Sequence, residues 1–172
     1  MKKFSLSIKS HFIQAWPIFI ILGIALCTPY LFVSEFGEQS FGFGVNAALI
    51  IFFVVFIPHS IIHIRYTLLS RGKEVSFDKK NKEIRYKSRN SERIIKHSDI
   101  NNVRIVLNTA QKNNSPQCFP WQAYSYAVLI LKTGEQILIT SLLVPNLNWP
   151  YTFSSITLED DIWCWAPNID KL

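Results

Sequence analysis

The residues with the best claim to chemistry are three histidines. His59 and His63 are four apart, so on a helix they share one face. His11 precedes the first of two apolar runs, and if the runs pair antiparallel it lies at the same depth. Three imidazoles at one level are a ligand set for a metal or a haem. No Glu-x-x-His or HExxH pattern accompanies them, and neutral histidines also pack at membrane interfaces, so the expectation is no resident metal and no cofactor. Glu159, Asp160 and Asp161 are the other cluster with catalytic side chains. They are expected in the first turn of a short helix from about Leu158 to Ala166, capped by Thr157, where carboxylates suit the helix dipole. GxSxG, P-loop and GxGxxG patterns are absent from the sequence, and the expectation is a protein that is not an enzyme. Cys27, Cys118 and Cys164 fit no CxxC or zinc-ligand spacing, which predicts unpaired thiols.

Two further groups suit binding. Between Arg65 and Lys96 eleven basic residues face four acidic ones. Lys79, Lys80, Lys82, Arg85 and Lys87 are the candidate basic face, because Arg85 and Lys87 alternate with buried-type residues and so share one side of a strand. Beside an anionic leaflet each such residue contributes roughly 1 kcal/mol of attraction. Without interleaved aromatics, the stretch is not a nucleic-acid platform. The segment TAQKNNSPQCFPWQ, residues 109–122, interrupts two strand-like runs, and its Phe119 and Trp121 form a candidate partner-binding loop. Trp149, Tyr151, Phe153, Trp163 and Trp165 form an aromatic tail suited to core packing or interfacial anchoring.

These groups have to be positioned by two unlike modules. Residues 12–64 contain Glu35 and Glu38 but no Lys or Arg. Within them, residues 12–33 and 41–64 each exceed the roughly 20 residues that cross a hydrocarbon core. The first run is too long for a signal-peptide core, and a second follows at once, which predicts a transmembrane hairpin over residues 1–64. Pro17, Pro29 and Pro58 fall near the span ends, and Trp16 and Tyr30 near opposite ends of the first span. Lys2, Lys3 and Lys9 precede the hairpin, Arg65, Arg71 and Lys73 follow it, and the loop SEFGEQS carries only acidic charge. The positive-inside rule then predicts cytoplasmic termini and an outward loop.

Residues 65–172 read as a mainly β domain. Alternation marks strands at 73–78, 82–87, 91–97, 102–108, 123–133 and 135–141, with Lys79-Lys80-Asn81 as a hairpin connection. The opening EVSFDKKNKEIRYK, then IIKHSDINNVRIV and the late pair YAVLILKTGEQILITS resemble bacterial pleckstrin-homology-like (PH-like) domains of small membrane proteins. The resemblance covers roughly residues 65–145. It implies an antiparallel PH-like barrel or sheet behind N-terminal membrane helices. Such barrels end in a plugging helix, whereas this tail, with its prolines, allows at most a short C-terminal one.

Together these features predict an inner-membrane-anchored, non-enzymatic adaptor that binds a protein partner or anionic lipid at the cytoplasmic face. A small membrane immunity protein against a toxin is the alternative, with SEFGEQS and residues 109–122 as specificity loops. A metal or haem carrier built on His11, His59 and His63 is a third. Two short helices also suit self-association, although neither span contains GxxxG.

Overall fold

The computed structural model describes residues 2–89, 91–147, 153 and 155–167. The chain opens with a strand, β1 (Lys2–Ser5), and turns within two residues into helix α1 (Ile8–Phe36). Ser7 makes that turn sharp. Its Oγ accepts from the Ser10 amide at 3.2 Å, and its own amide donates to Ser10 Oγ at 3.1 Å, a reciprocal cap. α1 ends at Gly37, whose φ of 83° is open to glycine, and a 3-10 turn (Glu38–Ser40) leads into α2 (Phe41–Ile51). A single π turn (Phe52–Phe56) joins α2 to α3 (Ile57–Ser70). Pro58 accounts for it: proline lacks an amide hydrogen and crowds the carbonyl four residues back, so the preceding turn widens. α1 and the combined Glu38–Ser70 unit are both long and apolar enough to cross a membrane. They approach each other closely at Gly44, where a Cβ would lie 2.5 Å from Pro29 Cα. Pro29 sits well inside α1, which runs further than its apolar run suggests.

Three residues after α3 the chain re-enters a strand. Gly72 makes the bend at φ 72°, and β2 (Glu74–Asp78), β3 (Glu83–Ser88) and β4 (Ser91–Lys96) follow. These pair antiparallel in the order β1-β2-β3-β4, with Phe4 opposite Val75 and Val75 opposite Tyr86. The N-terminal residues therefore belong to the sheet, and the helical hairpin is an insertion between its first two strands rather than a separate module over 1–64.

β5 (Ile100–Leu107), β6 (Tyr126–Leu131) and β7 (Gln136–Thr140) form the second sheet, with β8 (Ile156–Asp160) on the outer edge of β5. β8 corrects the expectation of a C-terminal helix over 158–166. Ile156 and Thr157 are β-branched, and the strand finds an open edge, pairing parallel with β5 from Val103–Ile156 to Leu107–Asp160. The acidic residues are used separately. Glu159 lies 3.9 Å from Arg104, Asp160 lies 2.6 Å from Lys112 Nζ, and Asp161 accepts the Trp163 and Trp165 amides. Among the described residues the strands form two four-stranded sheets, not a closed or wholly antiparallel barrel.

Alternation places Val75, Phe77, Ile84, Tyr86 and Ile95 of the first sheet against Val103, Ala127, Leu129, Ile137 and Ile139 of the second. Leu143, Val144, Leu147 and Phe153 complete this layer. The opposite face of the second sheet, through Val106, Tyr126, Val128 and Leu138, packs on Ile62 and Tyr66 of α3. The end of the inserted hairpin thus covers a sheet face that would otherwise meet water.

Candidate functional site

The first sheet turns its polar side outward, and the basic residues divide along it. Ser5, Glu74 and Lys87 share one cross-strand row, and Lys3, Ser76 and Arg85 the next. Where both hairpin helices join this sheet, a cleft of about 390 Å3 is lined by Ser5, Lys73, Lys87, Ser88 and Arg89. A smaller one of about 180 Å3, lined by Lys3, Arg85, Lys87 and Glu92, continues it and shares Glu74. Lys3 Nζ is 2.9 Å from Glu74 Oε2, and this hydrogen bond holds the Glu74 carboxyl below its ordinary range. Arg85 Nε is buried and has no hydrogen-bond partner among the described residues. An anion entering the smaller cleft would meet Arg85 and Lys87, with Lys3 already paired to Glu74.

Lys79, Lys80 and Lys82 are elsewhere. They occupy the β2–β3 turn, where Asp78 Oδ1 accepts the Lys80 amide at 3.0 Å. Four residues of strand separate this turn from Glu74, about 13 Å at roughly 3.3 Å per residue. The expected basic face is therefore two groups, one at the hairpin junction and one at the far turn. Lys73 and Arg89 belong to the junction group. Their contribution comes from the pairing register and the Gly72 bend, which local alternation does not reveal.

The histidines do converge. His11 Nδ1 lies 3.0 Å from His63 Nε2, and His63 Nδ1 lies 2.5 Å from the Tyr124 hydroxyl. His59 stacks alongside His63, is buried, and its Nδ1 has no partner among the described residues. His63 spends both ring nitrogens on its neighbours. Among the described residues no three His, Cys, Asp or Glu side chains are arranged to hold a metal ion. What the histidines form is a hydrogen-bonded link from α1 through α3 to the segment before β6.

Residues 109–122 begin with a short helix, α4 (Thr109–Lys112), capped by Asn108, and end in a 3-10 turn (Pro120–Ala123). Trp121 folds back and is 6% exposed, stacked between Phe119 at 4.6 Å and Trp163 at 5.2 Å. Phe119 is left 44% exposed. The tail is strapped to α3: Tyr66 donates to Cys164 O at 2.8 Å, and Arg65 Nε donates to Ala166 O at 2.7 Å while its guanidinium covers Trp165. Burial and the nearby Asp161 push the Cys164 thiol up to about 12. Phe153 is a core residue stacked on His97. Trp149 and Tyr151 lie outside the described residues.

No curated protein and no solved structure matches the chain. A family model described as PH domain matches residues 3–160, a stretch that begins in β1, runs across the inserted hairpin and ends with β8. The chain belongs to the PH-domain family.

Proposed function

We propose that this protein is a non-enzymatic, membrane-anchored PH-domain module whose junction cleft binds an anionic lipid headgroup at the cytoplasmic face of the bilayer. The hairpin spans the membrane in this reading, with the Glu38–Ser40 turn outside and the sheets inside. One observation carries the reading: the basic cleft lies at the point where both helices enter the sheet. Linkers of two and three residues hold it there. A headgroup in that plane reaches Lys87 and Arg89, both exposed, without any movement of the domain. The buried Arg85 Nε gains an acceptor that the described residues do not provide.

Titrating the detergent-solubilised full-length protein with short-chain phosphatidylglycerol, against phosphatidylcholine, tests this. At roughly 1 kcal/mol per basic residue near an anionic surface, K87Q/R89Q binds phosphatidylglycerol about 25-fold more weakly than wild type. K79Q/K80Q changes binding by less than about threefold, because its charges lie beyond a Debye length of about 8 Å. Equal losses in the two variants would remove the cleft as the site.

A further inference from the structure

The hairpin and the segment before β6 enclose a second groove, of about 620 Å3, which shares no residue with the basic clefts. One wall is the stripe Ile13, Trp16, Ile20 and Ile24 of α1, and the other is Cys118, Phe119 and Pro120. Spacings of three and four keep the stripe on one helix face. It runs about 16 Å at roughly 1.5 Å per residue, about half of a hydrocarbon core of about 30 Å. That is the depth of one leaflet. Ile20 and Ile24 are exposed, so the groove is continuous with the open surface of α1.

Its polar lining consists of glutamines, with Gln14 at the sheet end of the stripe and Gln111 and Gln117 opposite. Gln14 is 4% exposed, yet its Oε1 has no hydrogen-bond partner among the described residues. A buried amide oxygen in an apolar wall favours any occupant that brings a donor. In the loop wall Pro120 has no amide hydrogen and the Phe119 amide donates to Gln122 Oε1 at 2.9 Å. Non-helical backbone beside lipid needs its amides satisfied in this way.

We infer that this groove holds one phospholipid of the sheet-side leaflet. An acyl chain lies along the Ile13–Ile24 stripe beneath Phe119, and an N–H or O–H of the headgroup donates to Gln14 Oε1. The inference rests on the membrane placement proposed above but not on the basic cleft. A donor-bearing headgroup such as phosphatidylethanolamine is preferred over phosphatidylcholine, which has no donor.

The test uses full-length protein in nanodiscs with equal phosphatidylethanolamine and phosphatidylcholine of matched chains, released for native mass spectrometry. Wild type is expected to keep one lipid, with phosphatidylethanolamine favoured about tenfold. I20W, which fills the groove, loses it, and Q14L keeps a lipid without headgroup preference. Circular dichroism confirms that both variants are folded. A wild type that retains no lipid, shows no headgroup preference, or behaves like I20W overturns the groove assignment. Carbonate extraction of the source membranes separates the two claims. Protein stripped by carbonate overturns the membrane placement and the groove together, whereas protein retained without a lipid overturns the groove alone.

Discussion

Phe4→Ala is the substitution that most directly probes how the hairpin is built into the domain. Phe4 lies in β1 opposite Val75, packs on the inner layer, and meets Phe77 edge to face with ring centroids 5.7 Å apart. Truncating a fully buried phenylalanine costs about 3–5 kcal/mol. Phe4 is partly buried, so about half of that applies, and the lost aromatic pair lies within the same sum. The expected destabilisation is about 2 kcal/mol. For a chain of this size that lowers the melting temperature by about 4–8 °C. The assay is thermal unfolding of the detergent-solubilised full-length protein, followed by circular dichroism in the β region. Phe77→Ala serves as a fully buried reference with a larger loss, and Lys79→Ala, at an exposed turn, as a neutral one. If Phe4→Ala melts with wild type while Phe77→Ala does not, β1 is not a working strand. The hairpin would then be a plain N-terminal anchor rather than an insertion.

Gly44→Ala forces a Cβ to within 2.5 Å of Pro29 Cα and is expected to destabilise the hairpin by about 1–3 kcal/mol in the same melt. Gly42→Ala, which meets nothing within 4 Å, does not destabilise it. Alkaline stability follows from Cys164, whose thiol is raised from 9.0 to about 12 by burial. The unfolded chain releases that proton first, so its contribution is complete below pH 9 and is lost as pH rises from 9 to 12. A C164A variant should lose less stability over that range. At the acid end the sign reverses. The Lys112 hydrogen bond lowers the Asp160 carboxyl, so its contribution is present above the ordinary carboxylate range and is lost as pH falls through the depressed value. D160N should flatten the acid limb of the pH–melting curve.

Six strands of the two sheets were legible in the sequence because each stands between turn residues and either alternates with a period of two or, as in β6, runs apolar without a break. β1 was not. Its four residues, KKFS, carry one large apolar side chain and sit ahead of a helix, where lysines read as a topology signal. Only pairing with β2 makes them a strand. β8 was misread for the opposite reason. Thr157 followed by Glu159 and Asp160 imitates a helix start, and an open β5 edge outweighs that local preference. The histidine convergence was visible from i,i+4 spacing and antiparallel pairing. What spacing could not convey is that His63 is held from both sides, by His11 and Tyr124. The basic residues were legible as a cluster but not as two groups, because strand direction decides which lie at the junction. Gln14 was overlooked, although a lone amide in an apolar run was a signal in plain view.

The account stands or falls on the hairpin crossing the bilayer with both sheets on the side of the chain termini. Labelling with a membrane-impermeant maleimide, in right-side-out and inside-out vesicles, reads this directly. Two single-cysteine proteins are needed, E38C and K80C, each in a background lacking the native thiols, with Lys80 exposed in the β2–β3 turn. Position 38 is expected to label only in right-side-out vesicles and position 80 only in inside-out ones. Labelling of both sites from the same side would contradict it, because the two helices would then lie on the membrane or within the protein rather than across the bilayer.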